Sequence, residues 1–110
     1  MLGRLNEVVV DCAHPDALAR FWQAVLGGAI HHNDEWVEVH PPGGFVVGFQ
    51  RVPDPKVGKN RLHLDVTVED IEAAVVAAVG LGATRVGGVV TDPISDFQVM
   101  LHPEVTSSAS

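Results

Sequence analysis

A chain of 110 residues is one domain's worth of sequence, and at this size roughly two thirds of the unfolded surface is buried, enough for a core without staples. Its 14 acidic against 7 basic residues, a formal charge of -7, repel phosphate backbones and anionic membrane surfaces and set nucleic acid and membrane aside as partners. A lone cysteine, Cys12, leaves no internal disulfide and suits a reducing cytoplasm, and the first apolar run ends at Asp11, far short of a signal-peptide core or a membrane span.

The β-branched run in residues 5–13 predicts an inner strand, with Val8 and Val10 on one face and Glu7, Val9 and Asp11 on the other. Pro15 suits a first helical turn, and Asp16 beside it complements the positive end of a helix. Ala17, Leu18, Phe21, Trp22 and Val25 recur at helical spacing before Gly27 and Gly28 stop the run. Phe21 and Trp22 therefore read as core anchors. A hairpin is predicted over residues 30–32 and 35–40, turning at Asn33 and Asp34. The turn PPGG then leads into a strand over 45–52 that places Phe45, Val47, Phe49 and Arg51 on one face. His14, His40 and His102 fall at predicted turns, and His31 and His32 point to opposite faces of their strand.

Residues 53–60 have the proline and glycine content of a linker. Beyond it, residues 61–67 read as a strand with Leu62, Leu64 and Val66 on one face and Arg61, His63 and Asp65 on the other. A helix follows, with Ile71, Ala74, Val75, Ala78 and Val79 as its buried stripe and Gly80 and Gly82 at its end. Residues 83–86, 89–91 and 97–101 are the remaining predicted strands. Sliding residues 61–83 back by 54 positions lays them on residues 7–29, with Asp65 on Asp11, Asp70 on Asp16 and Gly82 on Gly28. Each copy reads as strand, turn, helix and glycine stop, so residues 1–110 form a single domain of two repeated units, 5–52 and 61–110.

The element order strand, helix, three strands, repeated, together with DCAHPDALARFW at 11–22, VLGG at 25–28, FQRVP at 49–53, KNRLHLD at 59–65 and VEDI at 68–71, resembles the glyoxalase-like branch of the vicinal oxygen chelate superfamily. The resemblance covers nearly the whole chain. It implies an α+β fold in which two βαβββ units pair into a curved mixed sheet, with helices on the convex face and a ligand cup on the concave one. It also implies four metal-ligand positions, one on the first and one on the last strand of each unit. His63 matches one, whereas Val9 and Val47 fill two others. Laying HPE at 102–104 over HPP at 40–42 pushes the last strand to 107–114, past Ser110, and puts Ala109 at the fourth position. The last strand is accordingly expected to be missing or truncated. One ligand of four does not hold a metal, so neither a metal nor another cofactor is expected.

With Val8, Val10, Leu62 and Leu64 under the helices, the cup is expected to present Val9, Asp11, Phe45, Val47, Phe49, Arg51, Arg61, His63 and Asp65, an apolar floor with a few charges. Asp11 and Asp65, related by the repeat, read either as a structural salt-bridge network or as a proton-sharing pair. His63 is the candidate catalytic residue if there is one. The expected function is small-molecule binding without an intact metal site, rather than catalysis. The alternative is a glyoxalase-type lyase or isomerase, with a divalent metal whose site a partner chain completes. An uncovered sheet edge is a pairing template, which makes a homodimer the expected assembly.

Overall fold

The computed structural model describes residues 5–33, 36–53, 64–91 and 96–103. They divide into two compact units, unit 1 within Met1–Gly58 and unit 2 within Lys59–Ser110. The α+β class expected from the sequence is present.

Unit 1 is a complete βαβββ unit: β1 (Glu7–Cys12), α1 (Pro15–Leu26), β2 (Ala29–His32), β3 (Trp36–His40) and β4 (Val46–Arg51). The sheet order is β1-β4-β3-β2, with β1 parallel to β4 and the other pairs antiparallel. Pro15 opens α1 at a position where its missing N–H costs nothing. Gly27 ends the helix at φ 78°. Gly28, at φ 90°, passes directly under the His40 carbonyl, where any side chain would collide with the backbone. This close approach ties the end of α1 to the end of β3, and only glycine permits it.

Register decides which residues α1 covers. Val8 lies opposite Val47 and Val10 opposite Phe49 on β4, while Val37 and Val39 of β3 lie opposite Phe49 and Val47. Paired residues share a face. Together with Leu18, Ala19, Phe21 and Trp22 of α1 they form the core of unit 1, in which Leu18, Val39 and Phe49 are fully buried. Each such side chain contributes about 1.5–3 kcal/mol relative to exposure. Phe21 and Trp22 meet edge to face at 5.3 Å, as anchors of that core.

The expected cup is corrected here. Val47 and Phe49 belong to the face under α1, because β4 pairs in parallel with β1 and so carries Val47 and Phe49 on the side of Val8 and Val10. Arg51, opposite Cys12, shares that face at its exposed end. Phe45 precedes β4 and is 60% exposed.

In unit 2, α2 (Ile71–Gly80) is capped by Asp70, whose Oδ1 accepts the Ala73 N–H at 3.1 Å. β5 (Thr84–Thr91) and β6 (Asp96–Leu101) pair antiparallel. The two pieces expected at 83–86 and 89–91 are one strand, with an irregular register between Val86 and Val90. There Gly87 takes φ 67°, and Gln98 Nε2 donates to the Val86 and Gly87 carbonyls. Val75 and Ala83 are buried, but Val79, expected in the buried stripe, is 48% exposed. Leu64–Thr67, expected in a strand, form none among the described residues. Residues 54–60 of the expected linker 53–60, the start of the expected strand at 61–63 and the place from 107 on of the last strand, expected missing or truncated, lie outside the described residues. Among the described residues no helix is long and apolar enough to cross a membrane, which says nothing of strands.

Candidate functional site

With α1 on one face of the unit 1 sheet, the opposite, helix-free face is set by the alternate residues of each strand. It carries Glu7, Val9 and Asp11 from β1, Val46, Gly48 and Gln50 from β4, Trp36, Glu38 and His40 from β3, and His31 from β2. Val9, at 39% exposure, and the exposed Asp11 stand where the sequence predicted them. Asp65 is exposed in unit 2, and Arg61 and His63 lie outside the described residues.

At the centre of this face is a gap. Glu38 pairs across β3–β4 with Gly48, and Gly48 pairs across β4–β1 with Val9. Strands two apart lie about 9.6 Å from each other, too far for most side chains to meet over an intervening one. Gly48 has no side chain, and the Glu7 carboxylate occupies the space above it. A Cβ built on Gly48 would stand 2.6 Å from Glu7 Oε2. That oxygen is buried and has no hydrogen-bond partner of good geometry.

Around it sits a chain of titratable groups. Glu38 Oε1 accepts from His40 Nε2 at 2.9 Å, with the Glu38 side chain 16% exposed. An ionised carboxylate only accepts, so this His40 nitrogen carries the proton. The His40 ring in turn stacks, tilted, on His31 at 4.1 Å between centroids. Burial, then the charge and proximity of Glu38, raise the Glu7 carboxyl above its usual range. The His40 hydrogen bond holds Glu38 below the usual range against the opposing effect of burial, helped by the Trp36 N–H. Trp36 Nε1 is buried with no hydrogen-bond partner among the described residues, and its N–H still favours the ionised form of Glu38. Two neighbouring carboxyls pushed in opposite directions lose their protons at separated pH values, Glu38 before Glu7.

A second concavity of about 490 Å³ opens where α1 begins, lined by Pro15 and Asp16, by His32, Asn33, Trp36 and Val37, and by Arg51 and Pro53. Asp16 and His32 satisfy each other at 3.0 Å and are 63% and 66% exposed, so much of its polar lining is already paired and wet. His31 and His32 do point to opposite faces as expected. His40, expected at a turn, is instead the last residue of β3.

The metal-ligand positions implied by the sequence resemblance do not fit a metal in unit 1. Val9 offers no ligand atom, Val47 faces α1, and no group of three or more His, Cys, Asp or Glu suited to a metal occurs among the described residues. The sequence reading missed Glu7, Glu38, His40 and Gly48 as a group. Glu7 was on the correct face by alternation, but the gap that lets it reach β3 is a property of register.

The glyoxalase-like domain family model matches residues 7–106. Among solved structures, a glyoxalase/bleomycin resistance protein/dioxygenase family enzyme from Burkholderia phytofirmans PsJN is similar with a TM-score of 0.75 and 20% identity, over 93% of this chain and 92% of that one. A hypothetical protein from S. aureus is similar with a TM-score of 0.75 and 15% identity, over 94% and 88%. An integron cassette protein from the mobile metagenome of V. cholerae is more distant, with a TM-score of 0.50 and 14% identity over 91% and 85%. At these identities the likeness is one of fold. No curated protein matches this chain.

Proposed function

Because the chain belongs to the glyoxalase-like domain family, we propose that it binds a small organic molecule on the helix-free face of unit 1. The observation that carries this reading is the Glu7 carboxylate oxygen Oε2, buried on that face with no hydrogen-bond partner among the described residues. An unsatisfied buried acceptor costs about 1–3 kcal/mol, a cost that a ligand donor or a proton removes. Val9 and the half-buried Trp36 supply apolar area beside it, the usual mixture in a small-molecule site. Asp16 and His32 satisfy each other in the second concavity, which favours the helix-free face over it.

The test is a backbone-amide NMR titration of the labelled protein with a library of small neutral, cationic and anionic compounds. Binding on this face moves the amide signals of Val9, Glu38 and Gly48 together in a saturable way. Saturable shifts confined to α1 and the Asp16–His32 concavity, or none at all, would refute the reading. Self-association belongs to the same proposal and is supported by the exposed Val86, Val90, Phe97 and Val99 of the β5–β6 hairpin. A sedimentation-equilibrium mass of one chain would remove it.

A further inference from the structure

We infer that Glu7 and Glu38 hold one proton between them across the gap at Gly48, as an acid–base couple oriented by His40, and that this couple selects a neutral ligand with an amide-like edge. The inference deepens the small-molecule reading above and rests on it for the ligand, but not for the proton.

The geometry is specific. β4 separates β1 from β3, and in a sheet of ordinary side chains Glu7 and Glu38 would be kept apart by the residue between them. Gly48 removes that residue, and Glu7 Oε2 fills its place. The groups facing Glu7 are few. Its own strand adds Asp11, β4 contributes only Val46, Gly48 and Gln50 on this face, β3 contributes Glu38 and His40, and β2 contributes His31. Among the described residues, no lysine or arginine stands on this face of unit 1 to neutralise two carboxylates. His40 is already committed to Glu38. Two like charges brought together in a half-buried site disfavour each other, so one of the pair takes up a proton more readily than an isolated carboxylate does. The opposite directions in which burial and His40 move Glu7 and Glu38 agree with that division.

A neutral Glu7 donates one hydrogen bond, and the ionised Glu38 accepts one. That pairing matches a ligand with an acceptor and a donor side by side, as in the C=O and N–H of a primary amide. A donor-only cation would leave the Glu7 O–H without an acceptor, and an anion would meet Glu38 unshielded.

Carboxyl-carbon NMR of glutamate-labelled protein across a pH series tests the couple. In the wild type, one glutamate titrates above the ordinary range and another below it. Gly48→Ala puts a methyl group where Glu7 Oε2 now sits. Gly48 is not among the glycines at positive φ, and the atom displaced is the end of a flexible side chain, so the variant folds. The upward displacement of Glu7 is lost in Gly48→Ala and reduced in Glu38→Gln, where burial remains but the like charge does not, while Glu7→Gln removes the signal itself. Ordinary titration of every glutamate in the wild type, or a raised signal that survives both Gly48→Ala and Glu38→Gln, overturns the couple. Acetamide is the ligand probe. It moves the Val9 and Glu38 amide signals of the wild type more than ammonium or acetate do at equal concentration. A larger response to either ion overturns the amide assignment even where the couple is present, and is read separately from the compound-library result.

Discussion

Replacing Phe49 by alanine distinguishes the observed register of β4 from the one that alternation alone suggested. Phe49 is fully buried against Val10 and Val37 beneath α1. The ring has no route to solvent, so its removal costs the transfer free energy of the ring and a residual cavity, together about 3–5 kcal/mol. Against a whole-domain stability of about 5–15 kcal/mol, that is a large share. Phe45 is 60% exposed just before β4, and Phe45→Ala should stay within about 0.5 kcal/mol. Both residues were expected on one cup face, where they would behave alike. Urea unfolding followed by tryptophan fluorescence, with linear extrapolation and a check that the slope is unchanged, reads both values. A Phe49→Ala loss under about 1 kcal/mol, or equal losses for the two variants, would show that β4 does not pair with β1 in the register described.

Gly28→Ala should be much more damaging than Gly43→Ala. Both glycines have positive φ, at 90° and 67°, but a methyl group on Gly28 strikes the His40 carbonyl, whereas the one on Gly43 enters open space. Thermal denaturation should show Gly43→Ala losing about 1–2 kcal/mol from backbone strain and Gly28→Ala clearly more. Asp70→Ala removes the α2 cap and should cost about 0.5–2 kcal/mol, read as a lowered Tm that Asp70→Asn largely restores. For pH, the raised Glu7 carboxyl contributes stability that is present below the ordinary glutamate range and lost as pH rises through its raised value. Glu38, held low, has the opposite sign, and its contribution disappears only as pH falls through its lowered value. Glu7→Gln should therefore be more stable than the wild type at neutral pH, by on the order of 1 kcal/mol, and the advantage should vanish in acid. Chemical denaturation at several pH values would contradict this if the advantage grew on acidification.

Much of the architecture was legible because it depends on local pattern. Leu18, Phe21 and Trp22 fall at helical spacing and are buried, and Pro15 and Gly27 bound α1 where their backbone preferences place them. The faces of β1 could be read because Glu7 and Asp11 fall on one parity and Val8 and Val10 on the other. β4 is different. Its VVGFQR sequence is apolar on both parities, so alternation separates two sets of residues without saying which one meets the helix. The parallel pairing with β1 makes that choice, and nothing local encodes it. The Glu7–Glu38 approach was hidden for the same reason. It needs a carboxylate on one strand, another two strands away and a glycine between them, which become neighbours only once register is known.

The parallel pairing of β1 with β4 also has a consequence for the order in which unit 1 assembles. Val39 meets Val47 across a separation of 8 residues (47 − 39), whereas Glu7 meets Val46 across 39 (46 − 7). Closing the longer loop costs about 1.4 kcal/mol more, roughly tenfold in probability. The β2–β3–β4 meander is therefore positioned to form first, on the microsecond scale of hairpins, with α1 docking on it. β1 then adds to a template that already exists. β1 pairs only with β4, so a chain still emerging from synthesis holds β1 without its sheet partner until β4 has been made.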